Sequence, residues 1–172
     1  MIVEAWVAGL ARWFHFIFGI MWIGLLYYFN FVQVASLKEA NADGTAAGIT
    51  KHVLPRALWY FRWAAVWTWV MGAILLGTLS PDGSGFVKAF TFQAPYTGIG
   101  IGAWLGTIMA INVWTFIWQN QKKVIGITPA TDEEKNKARR IAFLASRTNT
   151  MLSIPMLFFM AAGFTHKSMF GL

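Results

Sequence analysis

Cysteine is absent from the 172 residues. That excludes disulfides, thiolate catalysis, iron–sulfur clusters and c-type haem attachment within the chain. Charge is scarce as well. Only 12% of residues are Asp, Glu, Lys or Arg, against roughly 25% in an average soluble domain. So few charges would leave the surface of a water-soluble globule poorly solvated. The 57% hydrophobic content, in turn, is ample to bury and argues against disorder. Hydrolytic signatures are missing too: there is no Gly-x-Ser-x-Gly elbow, no phosphate-binding loop and no His-Glu-x-x-His zinc motif. What remains is an apolar, aromatic chain with 10 Trp and 15 Phe. It reads as an integral membrane protein whose chemistry, if any, needs a cofactor.

Four apolar stretches approach the roughly 20 residues a bilayer crossing needs. They run over about 10–31, 57–79, 98–118 and 141–164. The expected fold is therefore a single all-α membrane domain, a bundle of four transmembrane helices. Pro81-Asp82-Gly83-Ser84-Gly85 is a strong turn signal between the second and third stretches. Thr131-Asp132-Glu133-Glu134 reads as a capping box that starts a helix running on into the fourth. Four crossings put both termini on one side. The loops at 36–55 and 119–140, with Arg56 at the edge of the first, carry nine basic residues, among them Lys38, Lys122 and Arg140; the terminal side carries three, Arg12, Lys88 and Lys167. By the positive-inside rule both termini lie on the outer, periplasmic side of a bacterial inner membrane. The net charge of +7 has the same explanation, and nucleic acid is not expected as a partner.

Polar groups inside the apolar stretches are costly, and each carries a functional hypothesis. His15 lies about five residues into the first stretch, with Gly19 one turn on. At similar depth the third stretch offers Gly98, Gly102, Gly106 and Ala110 at four-residue spacing, the second offers Gly72, and the fourth offers Met160. A neutral imidazole beside a slot without side chains suits a planar macrocycle, haem b above all. Alternatively, the glycines serve close helix packing and His15 hydrogen-bonds across the bundle. Met160 is one candidate second ligand, and His166 is another. Deeper lies a second group: Arg62, Asn112, Arg147 and Asn149, with no carboxylate inside any stretch to neutralise the arginines. Either the guanidinium groups snorkel to lipid phosphate, or the four residues hold an anionic ligand such as a quinone headgroup. About twelve residues, roughly 18 Å, separate this level from His15.

Arg12-Trp13-Phe14-His15 followed by Gly19-Ile20-Met21-Trp22-Ile23-Gly24 resembles the first span of the bacterial membrane-bound urate hydroxylase family, the urate oxidase N-terminal membrane domain. Leu58-Trp59-Tyr60-Phe61-Arg62-Trp63 is similar to its next motif. The fullest likeness is Ile101-Gly102-Ala103-Trp104-Leu105-Gly106-Thr107, running on through Asn112 to Asn120-Gln121-Lys122-Lys123. Ser146-Arg147 through Asn149, then Leu152 to Pro155, resembles the last. The resemblance is to a short form, without the extra spans and the cytochrome c domain of the long members. It implies a shared structural or cofactor role for His15, Trp63, Asn112, Asn120, Gln121 and Arg147. Gly100 stands where the family pattern leads one to expect a histidine. The first span is also similar in style to the four-span protoporphyrinogen oxidases, which place a haem-binding histidine there. Two functions follow as expectations. One is a haem b redox subunit that exchanges electrons with a quinone or an external cytochrome c. The other is a non-catalytic accessory subunit that stabilises a larger respiratory or photosynthetic complex through other membrane subunits.

Overall fold

The computed structural model describes residues 2–165, which are helices and turns with no strand among them. Helix α1 (Ile2–Tyr27) passes through a π-helical turn, Tyr28–Gln33, into α2 (Val34–Ala42). Gly44, at φ 72°, supplies the left-handed conformation that ends α2. A single turn, α3 (Ala46–Gly48), and a second π-helical turn, Ile49–Val53, lead into α4 (Leu54–Thr78), with Pro55 in its first turn, where a missing N–H costs no helix bond. A short helix, α5 (Gly85–Phe90), precedes α6 (Thr97–Asn112). A third π-helical turn, Val113–Ile117, joins α6 to α7 (Trp118–Val124), and Gly126 at φ 82° follows. The chain closes with α8 (Asp132–Thr165).

The capping box forms as the sequence predicts. The Thr131 N–H donates to the Glu134 carboxylate at 2.8 Å, and the Glu134 N–H donates to the Thr131 hydroxyl at 3.2 Å. Two orphan donors at the start of α8 are thereby satisfied.

Cross-helix contacts fix an up-down-up-down bundle. Along α1 and α4, His15 meets Thr68 and Phe29 meets Phe61. Trp69 meets Thr107 and Trp63 meets Trp114 along α4 and α6. Gly102 faces Met160, and Asn112 meets Asn149, along α6 and α8. Tyr27–Ser153 and Asn30–Ser146 join α1 to α8. The start of α1 and the end of α8 thus share one end of the bundle, called here the terminal end; the other is the loop end. The core between the helices gathers Trp22, Leu26, Phe61, Ala65, Met109, Val113 and Met156.

The expectation of four membrane-crossing helices is met in part. Among the described residues two helices are long and apolar enough to cross: Val3–Ala42 and Thr97–Val124. Helix α4 and helix α8 have the length but are not among them. In α4 the apolar run is interrupted by Arg62 and by Trp and Tyr residues, whose N–H and O–H groups lower its hydropathy. In α8, Ser146 to Thr150 puts five consecutive polar or charged residues at mid-helix.

Helix α5 was not foreseen; the sequence suggested a turn over 81–85 and a connecting loop. Two glycines make room for it. A Cβ on Gly85 would collide with the Leu76 carbonyl, and one on Gly100 with the Ala89 carbonyl. Gly100, which stands where the resemblance leads one to expect a histidine, therefore has a packing role here. The turn before α5 is held by Asp82, whose carboxylate accepts from the Ser80 and Ser84 hydroxyls, the Ser84 N–H and the Lys88 ammonium. These hydrogen bonds, the Ser80 one foremost, hold the Asp82 pKa far below the usual carboxylate range.

Candidate functional site

His15 sits on the face of α1 turned to α4. Its Nδ1 lies 2.8 Å from the Thr68 carbonyl oxygen. A carbonyl only accepts, so Nδ1 carries the hydrogen and Nε2 is left with the lone pair when the ring is neutral. The Thr68 hydroxyl is itself bound back to the Ala64 carbonyl at 2.7 Å. One turn along α4, Gly72 gives the ring its place. A Cβ there would lie 2.9 Å from Cε1 and 3.0 Å from Nδ1 of His15, closer than packed carbon atoms approach.

Around His15 the bundle encloses a cavity of about 850 Å³. Its walls are mostly apolar and come from α1, α4, α5, α6 and α8. Gly19, Gly72, Gly106 and Met160 line it together with His15, so four of the sequence-chosen cofactor residues share one space: His15, Gly19, Gly106 and Met160. The Met160 methyl lies 3.8 Å from where a Cβ on Gly106 would stand. Gly102 does not line the cavity. A Cβ there would meet the backbone of Phe159 and Met160 at 3.2–3.3 Å, so this glycine serves the close approach of α6 and α8. Arg12 lies on the cavity wall one turn before His15, and Tyr27 lies on it toward the loop end. The Ser153 hydroxyl donates to the Thr150 carbonyl at 2.7 Å, so the 3.0 Å contact between Tyr27 and Ser153 is a donation from Tyr27. The alternative second ligand, His166, lies outside the described residues.

The deeper group divides. Asn112 Nδ2 donates to Asn149 Oδ1 at 2.7 Å and to the Ala145 carbonyl at 2.9 Å. Asn149 Nδ2 donates to the Met109 carbonyl at 3.1 Å, and Asn149 is fully buried. These amides clamp α6 to α8. Arg62 lies 3.8 Å over the Trp118 ring, a cation–π contact, while the exposed Arg147 lies 5.4 Å from the Phe143 ring. The structure thus joins the two asparagines and gives each arginine its own aromatic partner.

Sequence reasoning missed Thr68, the partner that orients His15, and the cap residues Phe86, Phe90 and Tyr96 that line the cavity at its terminal end. A lone threonine one turn before a glycine in an apolar stretch was the available signal for the first. For the cap, the Phe86–Phe90 pair at four-residue spacing was the signal. No group of three or more His, Cys, Asp or Glu is assembled among the described residues. A bare ion therefore has no ready cage there. A metal carried within an organic cofactor would ask the chain for fewer donors, and His15 and Met160 would be the residues to supply them.

No curated protein and no solved structure matches this chain. The sequence model of the family described as urate oxidase N-terminal matches residues 83–170. That stretch holds Gly102, Gly106, Asn112, Arg147, Asn149 and Met160, while His15 and Arg62 precede it. With more than half of its length matched, the chain belongs to the urate oxidase N-terminal family.

Proposed function

We propose that the chain is a four-span redox subunit of the bacterial inner membrane, with both termini outside, that holds haem b in the His15 cavity. The observation that carries this reading is the 2.8 Å bond from His15 Nδ1 to the Thr68 carbonyl. Metal-binding histidines nearly always donate their other ring N–H in this way, which fixes the tautomer and makes the free nitrogen more basic. The residues fit the group. The cavity's about 850 Å³ lies within the range of cofactor sites. Glycines at positions 19, 72 and 106 leave flat walls, and Met160 offers a thioether as a second donor. Haem iron, when bound, supplies reversible one-electron chemistry.

The chain's own contribution is orientation and exclusion of water. Thr68 holds the imidazole, Gly72 keeps its ring unhindered, and apolar walls shield the site. Arg12 adds positive charge at the terminal end. Electrons are passed to a quinone or an external cytochrome c. Arg62, Asn112, Arg147 and Asn149 remain our candidate residues for an anion or quinone headgroup, with the arginines as the charged partners.

An accessory subunit is the second reading, favoured by the half-exposed tryptophans Trp59, Trp63 and Trp67 at four-residue spacing along α4. Such a stripe offers a second membrane subunit a broad aromatic face. An oxidised-minus-reduced visible spectrum of the protein in mild detergent separates the two. Soret and α bands of a b-type haem, abolished by His15→Ala, are expected. A flat spectrum from folded protein favours the accessory subunit.

A further inference from the structure

We propose that the His15 cavity is filled sideways, through a slot between the terminal halves of α1 and α8, by a planar, mostly apolar molecule dissolved in the bilayer. This rests on the preceding reading in that it takes the cavity to be a ligand site and the four helices to span.

The two seams of the bundle differ. The α4–α6 seam is bridged at three levels, by Trp69–Thr107 at 2.9 Å, Trp63–Trp114 at 5.6 Å and Arg62–Trp118 at 3.8 Å, with Trp69, a cavity-wall residue that is 39% exposed, standing across it. Helix α5 covers its terminal end, tied by the bond from Trp104 Nε1 to the Phe90 carbonyl and by that from the Tyr96 hydroxyl to the Leu79 carbonyl, 3.1 Å each. The α1–α8 seam is pinned toward the loop end, by Tyr27–Ser153 and Asn30–Ser146. Toward the terminal end its facing residues are cavity wall and outer surface at once: Phe16 is 59% exposed, Ile20 74% and Leu157 44%. A residue that is both wall and surface marks where a cavity reaches the outside.

Gly24 lies on the same edge. A Cβ there would meet nothing within 4 Å, so the edge is notched where a side chain would stand. This mouth is apolar and opens on the flank of a helix long and apolar enough to cross a membrane. The approach from the terminal end meets Phe86, Phe90 and Tyr96, with the exposed Arg12 and Pro95 beside them. Hydrocarbon is the solvent that wets the side entrance.

The test uses the full chain in liposomes with a lipid-soluble carbene probe, and labelled peptides are mapped by mass spectrometry. Residue-resolved labelling of the inward-facing His15, Thr68 and Gly72, with the outward-facing Phe16, Ile17 and Trp69 left out of the count, is expected in the wild type. Gly24→Trp should plug the slot and lower it by at least about tenfold. Labelling of the lipid-facing Val3–Leu10 stretch serves as the internal standard. Gly77→Trp, also at a glycine with open space but away from the cavity, should leave cavity labelling unchanged. Equal cavity labelling in Gly24→Trp and wild type, or none in either, overturns the slot. A labelled cavity that never yields a Soret band with added haem sinks the haem reading and leaves the slot standing.

Discussion

His15 and Thr68 are joined by a 2.8 Å hydrogen bond across 53 positions of sequence. The bond does two things at once. It ties α1 to α4 within the apolar layer, where an unpaired ring N–H would be costly. It also leaves the lone pair on Nε2 when the ring is neutral. Gly72 makes the arrangement possible by leaving the ring its volume.

Gly72→Ala tests that volume. The new methyl would stand 2.9 Å from His15 Cε1, so the ring or the helix must move. Overpacking of this kind costs about 1–3 kcal/mol. The thermal midpoint in detergent should fall, and any haem signal should weaken with it. Gly24→Ala, which meets open space, should do neither.

Asn149→Ala removes the centre of the α6–α8 clamp. The buried Met109 carbonyl loses its side-chain donor and keeps the Val113 N–H, and the half-buried Asn112 loses one acceptor and keeps the Ala145 carbonyl. Loss of such hydrogen bonds costs about 0.5–1.5 kcal/mol each. Chemical denaturation in mixed micelles should show the loss. Arg147→Gln, at an exposed site, should change stability far less.

Thr131→Ala breaks the capping box that starts α8. Loss of an N-cap hydroxyl costs about 0.5–2 kcal/mol. Glu134 is held below its ordinary pKa chiefly by the Thr131 N–H and then by the Thr131 hydroxyl. Its titration should therefore move up in the variant, while Thr131→Ser should restore both properties. NMR of selectively labelled protein reads the carboxyl directly.

The Asp82 turn sets an acid limit on the α5 cap. Its folded pKa is depressed, so ionised Asp82 stabilises the fold above the unfolded pKa of about 3.9. That contribution is lost as pH falls through the unfolded value toward the folded one. Asp82→Asn should melt below wild type at pH 7, and the gap should close progressively in acid. A constant gap across the range would show that the ionised carboxylate is not what matters.

Much of the architecture was legible because it rests on local signals. The capping box and the 81–85 turn follow from short-range hydrogen-bond chemistry, and both stand where the sequence puts them. Depth counting along helices of fixed direction brought His15, Gly19, Gly106 and Met160 to one cavity, because the rise per residue is constant. Rotation about the helix axis is what counting cannot supply. Gly102 shares a face with Gly106 by spacing, yet it meets the α8 backbone while Gly106 borders the cavity. Asn112 and Asn149, candidates with Arg62 and Arg147 for an anion or quinone headgroup, turn toward each other in the fold, and their amides pair. Composition also overstated how apolar α4 is, since tryptophan counts as hydrophobic while its indole N–H is a polar group; in α8 the polar run from Ser146 to Thr150 has that effect.

The pinning of α1 to α8 toward one end has a mechanical consequence. In water, parting two apolar walls is opposed by the cost of wetting them. Among lipid tails that cost nearly vanishes, because the chains that enter are as apolar as the side chains they touch. The Tyr27–Ser153 and Asn30–Ser146 bonds then hold the two helices together at one end of the gap. With the proposed slot, how far the gap opens would depend on the solvent around it as well as on the fold.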